Sequence, residues 1–400
     1  MTVAQRQRLH TAVVLAALVG LAFNLRPAAG SIGPVIEEVQ RNLGMSAATA
    51  GLLTSLPVLA FSGFGGAAPW LARRLGVHRL SALALVLTAA GLALRAATSS
   101  ETVFLVATVL ALAGMATGNV MMPSLVKLHF PHRIGLITAV YTTVLAIGMT
   151  TSTVLTVPVG QAVGSWRGGL GIWAVTAVVA ALPWLALIRH DQRVEDSAHT
   201  ITMRQVMGTP LGRMMALAFG LQSLQAYAVF GWFAQIFRDS GYSATTAGLL
   251  LGLITAVGIP LSIAVPTLAA RRPSQVWLMA TLLSCYPVGL LGMVLWIEHV
   301  PWFWALLVGI SQATFPLILT LLGLRTRTPD GTAALSGFAQ SVGYLLSAIG
   351  PFGMSLLHEA TGGWNLPLLA LTAMILPLAW SGIRVSRPGF VEDQLAQPSR

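Results

Sequence analysis

The chain has 400 residues, of which 55% are hydrophobic and only 9% charged. Soluble domains carry about 25% charged residues, so this composition excludes an ordinary water-soluble enzyme and suits a bilayer. The net charge of +11 would fit a nucleic-acid binder, but its distribution along the chain excludes that class too.

Taken in chain order, apolar runs bounded by charged or Pro/Gly-rich punctuation predict twelve membrane-spanning helices. They lie near 11–33, 48–70, 80–97, 102–125, 135–160, 169–188, 212–237, 246–269, 276–296, 302–323, 333–356 and 365–383. Each suits a hydrocarbon core about 30 Å thick at a rise of 1.5 Å per residue. The first run continues past Arg26 without a small-residue cleavage site, so it reads as a helix and not as a signal peptide. Trp70, Trp166, Trp184, Trp232, Trp277, Trp296, Trp302 and Trp364 fall near predicted ends, as an interfacial belt requires.

The polar stretch from Arg189 to Arg213 separates spans six and seven. The expected organisation is an all-α membrane protein: a six-helix bundle over 1–188, a cytoplasmic linker over 189–211, a second six-helix bundle over 212–384 and a cytoplasmic tail over 385–400. Alternating the loops between sides places 18 Lys/Arg on one side and five on the other (Arg26, Arg41, Arg95, Arg167 and Arg238), with the acids divided evenly. That is the positive-inside bias, and it predicts a multi-pass protein of the cell (inner) membrane with both termini cytoplasmic. Basicity here is a topology signal and a contact with anionic lipid. Cys285 is the only cysteine, so neither a disulfide framework nor a cysteine metal site is available.

An internal repeat links the two bundles. Gly44-Met45-Ser46-Ala47-Ala48-Thr49-Ala50-Gly51-Leu52-Leu53 aligns with Gly241-Tyr242-Ser243-Ala244-Thr245-Thr246-Ala247-Gly248-Leu249-Leu250, identical at eight of ten positions at an offset of 197. Ser46 and Ser243 are the expected helix N-caps. Six spans, an even number, separate the copies, so they share one orientation, as in parallel halves related by an axis along the membrane normal.

With these motifs in hand the sequence resembles the major facilitator superfamily. Within it, the chain is most similar to the cyanate and nitroimidazole permease family (CynX/NimT-like) over essentially its whole length. The marks are Asn24-Leu25-Arg26-Pro27, Ala50-Gly51-Leu52-Leu53-Thr54-Ser55-Leu56-Pro57, Pro123-Ser124-Leu125-Val126-Lys127, and Leu335-Ser336-Gly337-Phe338-Ala339-Gln340-Ser341-Val342-Gly343-Tyr344 with Gly350-Pro351. The resemblance implies a monomeric permease that moves a small solute by alternating access. One departure is the loop after span two, where the superfamily's Asp is replaced in Arg73-Arg74-Leu75-Gly76; Arg271-Arg272 lacks the acid as well. Those four arginines read either as a cytoplasmic gate or as positive-inside anchors.

Polar groups inside a span are costly and therefore informative. Arg26 is the most conspicuous, and on a continuous helix it shares a face with Ala22, Gly30 and Gly33. It reads as a clamp for a carboxylate-like or small planar anion, beside Asn24. Alternatively it snorkels to the outer interface or pairs with Glu37 or Glu38. Ser336, Gln340, Tyr344, Ser347 and Pro351 form a stripe on span eleven; Gln222, Gln225 and Trp232 form one on span seven; Thr138, Tyr141, Gly148 and Ser152 form one on span five. Asn119 and Gln312 add amides. These groups line a substrate path or seal interhelical seams. Lys127 reads as an interfacial anchor.

Every acid and histidine lies in a predicted loop or at a span end. This disfavours a proton-coupled antiporter of cationic drugs. No Walker-type loop, His-Glu-x-x-His or Gly-x-Ser-x-Gly motif is present, so no cofactor and no catalytic role are expected. The expected partners are a small-molecule substrate and the lipid bilayer, with no nucleic acid. The leading expectation is a secondary permease for a small anionic or polar-aromatic solute. The alternatives are an exporter of neutral hydrophobic compounds, using Met121, Met122 and Met149, and a non-transporting sensor or scaffold.

Overall fold

The computed structural model describes residues 3–190 and 201–395. Residues 191–200 of the expected linker and 396–400 of the tail lie outside the described residues, as do the side chains of Arg6, Arg8 and Glu37. The described chain is helical, without strands, and clusters into two compact units. Unit 1 comprises Met1–His129 and Val140–Thr200; unit 2 comprises Phe130–Ala139 and Ile201–Arg400.

Unit 1 is built from α1 (Val3–Asn24), α2 (Pro27–Gly30), α3 (Ile36–Leu43), α4 (Ala47–Leu75), α5 (Val77–Ala97), α6 (Glu101–His129), α7 (Ile134–Val163, whose first residues group with unit 2) and α8 (Trp166–Leu187). Small residues let its backbones approach closely. A side chain at Gly114 of α6 would strike Ala84 and Thr88 of α5. At one end, Val35, Val39, Met45, Leu53, Phe104 and Leu170 form a buried apolar cluster.

Unit 2 continues with α9 (Met203–Gly208), α10 (Pro210–Asp239), α11 (Ala244–Ala269), α12 (Val276–Trp296), α13 (Pro301–Ser311), α14 (Thr314–Leu324), α15 (Pro329–Ser347), α16 (Ile349–Thr361), α17 (Asn365–Val385) and α18 (Val391–Leu395). Gly220 of α10 lies against Gly343 of α15, where any added side chain would have to displace its neighbour.

Among the described residues, eleven stretches are long and apolar enough to cross a membrane. Helix α4, with 29 residues at the position of the second expected span, stands outside that count. The two expected caps adopt one geometry. Ser46 (φ −69°, ψ 158°) accepts from the Thr49 N–H at 3.1 Å, and Ser243 (φ −60°, ψ 154°) accepts from the Thr246 N–H at 3.1 Å. In each the extended cap residue satisfies an amide that the helix cannot.

Three expected spans are interrupted where they were read as continuous. A proline takes away its own N–H and crowds the carbonyl four residues earlier. Pro27 does this to Phe23, and α1 stops at Asn24; Pro316 does it to Gln312, dividing α13 from α14; Pro351 does it to Ser347, dividing α15 from α16. The Trp belt also needs a correction. Trp70, Trp277, Trp296 and Trp302 are exposed, but Trp184 is buried, its ring 6.1 Å from that of His78. Interior packing has claimed an indole that the pattern assigned to the interface.

A strap closes one end of unit 2. The Val391 N–H donates to the Arg325 carbonyl (3.0 Å), and the Glu392 carboxylate accepts from the amides of Arg327 (2.8 Å) and Thr328 (3.1 Å). Asp393 takes both faces of the Arg327 fork (3.0 and 2.9 Å), and Gln394 Oε1 accepts from the Leu211 amide at the start of α10 (3.0 Å).

Candidate functional site

Arg26 sits in the break between α1 and α2, within the span Thr11–Val35. Its backbone (φ −128°, ψ −30°) leaves the helix, and its carbonyl restarts one by accepting from the amides of Ala29 (3.1 Å) and Gly30 (2.9 Å). The expected shared face with Gly30 and Gly33 is therefore lost: Gly30 turns to Ser152 and Met149 of α7, and Gly33 faces open space. The guanidinium is half-buried, with its carbon 5.8 Å from the centre of the Phe61 ring of α4. Among the described residues it has no hydrogen bond and no ion pair, so the pairing with Glu38 is not made.

The flanks of the break are fixed. Asn24 donates to the carbonyls of Gly20 (2.9 Å) and Thr176 (3.3 Å) and accepts from the Thr176 hydroxyl (2.8 Å). Its amide therefore ties α1 to α8, and its capacity is spent inside the unit. On the other flank stands a residue that the sequence pattern counts only as a charge of the outer side, near the end of the third span. Arg95 of α5 is fully buried and donates from Nη1 to the Ala28 carbonyl (2.8 Å) and from Nη2 to the Ser31 hydroxyl (3.0 Å). Thr153 of α7 adds a longer contact to the Gly30 carbonyl (3.4 Å). Arg26 is thus an available planar donor on a short, anchored turn. Such a fork matches two oxygens of a carboxylate-like anion or the edge of a small planar one.

Polar groups also gather in unit 2. On α10, Gln222 is fully buried, and neither its amide nitrogen nor its oxygen has a partner among the described residues. Gln225 donates to the Leu371 carbonyl of α17 (2.7 Å), while its oxygen stays unsatisfied, as does the Ser223 hydroxyl. Leaving a buried polar group unpaired costs about 1–3 kcal/mol, so such groups ask for a water or a ligand atom. Trp232, on the same stripe, donates to the Pro351 carbonyl in the first turn of α16 (2.9 Å).

The span-eleven stripe is a packing seam over most of its length. Ser336, Gln340, Tyr344 and Ser347 are all buried, Gln340 donates to the Ser336 hydroxyl (2.7 Å), and Tyr344 meets Phe219 of α10 edge-on at 5.1 Å. Asn119 of α6 and Tyr141 of α7 are buried and engaged with neighbours. Gln312 lies half-buried at the α13–α14 break, its amide nitrogen without a partner among the described residues. Of the loop arginines, Arg74 lies over the Trp70 ring (4.2 Å) and Arg272 over Trp277 (5.7 Å), pairings that suit an interfacial anchor; Arg73 is half-buried and Arg271 exposed.

A second buried arginine was also missed. Arg325, just past α14, donates to the carbonyls of Val385 (2.8 Å), Ser386 (2.9 Å) and Pro273 (3.4 Å) and to the Gln275 side chain. Burial lowers its pKa from the ordinary arginine range to about 10, so it stays charged at neutral pH. For Arg95 the sequence did carry a signal. It lies inside the predicted run and shares a helical face with Thr88 and Gly91, small residues that leave room for a long side chain.

The family model of the Major Facilitator Superfamily matches residues 12–351. The 2-nitroimidazole transporter of Escherichia coli (strain K12) is 32% identical over 377 residues, covering 94% of this chain and 95% of that protein. The cyanate transport protein CynX of the same organism is 27% identical, covering 93% and 98%. Among solved structures, the E. coli fucose:proton symporter FucP (N162A) superposes with a TM-score of 0.73 at 15% identity, covering 93% of this chain and 98% of that one. The chain belongs to the Major Facilitator Superfamily: it is an all-helical, multi-pass membrane transporter and not an enzyme.

Proposed function

We propose that this protein is a secondary permease for a small anionic or polar-aromatic solute, cyanate-like or nitroimidazole-like, and that Arg26 fixes the charge of an anionic one. The observation that carries the reading is the Arg26 guanidinium, which lies within a span and has no hydrogen bond or ion pair among the described residues. A charge placed there at a cost of several kcal/mol, and not neutralised, is best explained by an anion that neutralises it in turn. The names of the two E. coli relatives, one a small anion and the other a small planar heterocycle, agree with that donor geometry.

In this reading the unsatisfied amides of Gln222 and Gln225 supply further hydrogen bonds during the cycle. Asn24 and most of the span-eleven stripe hold helices together instead. Twelve spans form two parallel six-helix halves, a reading supported by the offset of 197 and by the matched caps at Ser46 and Ser243. The halves alternate access to the solute. The molecule works as a monomer in the inner membrane with both termini in the cytoplasm, as the charge bias favours. Arg73, Arg74, Arg271 and Arg272 anchor that cytoplasmic face.

The test is direct. Purified protein in liposomes should show saturable flux of cyanate or 2-nitroimidazole. Arg26→Ala should weaken cyanate binding at least roughly tenfold, the worth of one charge-assisted hydrogen bond. Unchanged cyanate affinity in that variant would remove Arg26 from the site.

A further inference from the structure

Arg95 is the least expected charge in unit 1. Its side chain is fully buried at the end of α5, and among the described residues it meets no carboxylate. Its Nε has no partner, and its guanidinium carbon lies 5.9 Å from the Phe104 ring, a member of the apolar cluster formed with Val35, Val39, Met45, Leu53 and Leu170. Such a charge is expensive to keep, because an arginine stays protonated at neutral pH. Its two acceptors tell where the cost is offset. Both, the Ala28 carbonyl and the Ser31 hydroxyl, belong to the short helical turn that Arg26 begins.

Besides Arg95, that turn is held by the Ser31 hydroxyl's own bond back to the Pro27 carbonyl (2.5 Å) and the longer Thr153 contact to the Gly30 carbonyl. Helix α2 has four residues, too short to persist unaided, and Pro27 has already cut it from α1. The Ala28 carbonyl and the Ser31 side chain are one helical turn apart, and the arginine fork spans them from a neighbouring helix as a rigid clip. A lysine at the same place would offer one flexible point charge, not a fork.

We infer that Arg95 is a positioning residue for anion recognition: it clips the α1–α2 break so that Arg26 presents its fork to a small anion. This inference rests on the reading of Arg26 given above. Four variants in the full-length protein test it: Arg95→Lys, Arg95→Gln, the milder Ser31→Ala, and Arg26→Ala as reference. The measurements are binding of cyanate and of neutral 2-nitroimidazole, thermal stability in detergent, and hydrogen exchange of the 27–33 backbone.

Arg95→Lys should bind cyanate roughly tenfold more weakly, and Ser31→Ala roughly three- to tenfold, the worth of one or two buried hydrogen bonds. Exchange at 29–31 should speed up in both, while 2-nitroimidazole binding changes less than twofold. Arg95→Gln, which loses the charge as well, should show the largest loss of cyanate binding relative to the neutral probe. A purely structural arginine would lower both ligands alike, and that outcome overturns the inference. So does wild-type cyanate affinity in Arg95→Lys and Ser31→Ala beside a defective Arg26→Ala, which leaves the Arg26 reading intact. Wild-type cyanate affinity in Arg26→Ala overturns the Arg26 reading itself, and this inference with it.

Discussion

Arg95 in unit 1 and Arg325 in unit 2 solve one problem in two ways. Both are almost completely buried, neither meets a carboxylate among the described residues, and both donate to chain that is not regular helix. Arg325 has no buried nitrogen left without a partner. Its Nε and Nη2 reach three carbonyls and the Gln275 side chain, and its own carbonyl accepts from the strap. Arg95 reaches two acceptors and leaves its Nε unsatisfied beneath an apolar cluster. A saturated guanidinium is a structural knot, fixing the ends of α12, α14 and α17 together. An unsaturated one bears a cost that packing alone does not offset, and it stands beside the residue we assign to the solute.

The contrast can be broken or sharpened by experiment. The largest effect is expected from Arg325→Met, which orphans several buried carbonyls at once. It should cost about 3 kcal/mol or more, seen as a clear fall in melting temperature, with cyanate affinity unchanged. Arg95→Met should cost less, about 2 kcal/mol, yet abolish the preference for cyanate over a neutral probe. If the two were equally destabilising and equally silent toward the solute, the distinction between them would collapse.

Alkaline titration separates them differently. Burial brings the pKa of folded Arg325 down to about 10, below the ordinary arginine value, so above about pH 10 the unfolded state holds more protons. Stability attributable to Arg325 should therefore be flat from pH 6 to 9 and rise only above about 10. A slope near neutrality that vanishes in Arg325→Met would contradict this assignment.

Smaller effects probe the two halves as repeats. Ser46→Ala and Ser243→Ala should each cost about 1 kcal/mol, and nearly the same amount, because their caps share one geometry. A strong inequality would argue against the equivalence of spans two and eight. The smallest change belongs to the exposed pair Arg327–Asp393, whose side chains are about half accessible. Asp393→Asn should cost about 0.2–1 kcal/mol, less still at high salt.

Much of this was legible beforehand, for reasons that differ by element. The apolar runs found the long helices because a bilayer imposes length and composition together. Ser46 and Ser243 were readable as caps because a short polar side chain before an apolar run has one good use. The breaks were not. Pro27, Pro316 and Pro351 interrupt their helices, yet Pro57, Pro123 and Pro158 sit inside unbroken ones. What decides is whether neighbours satisfy the freed carbonyl and gain from the turn, which a single chain position does not encode.

The polar groups that the sequence singles out meet different surroundings in the fold. Arg26 stood out because a charge in a span is rare. Asn24 looked like its companion but is spent on Thr176, a partner 152 residues away. Arg95 reads as an outer-side charge because it lies within three residues of the end of the third predicted span, where charges are ordinary. Only tertiary contact turns it inward. Gln222, Gln225 and Gln340 formed good stripes, yet periodicity does not distinguish an amide that is satisfied from one that is not.

The strap has a consequence for biogenesis. Residues 391–394 touch the starts of α10 and α15 and the end of α14, all of which precede them in the chain. The long helices of the second unit are therefore synthesised before the segment that fastens one of their ends. Removing residues 390–395 should leave membrane insertion intact and make the inserted protein a better target for membrane quality control.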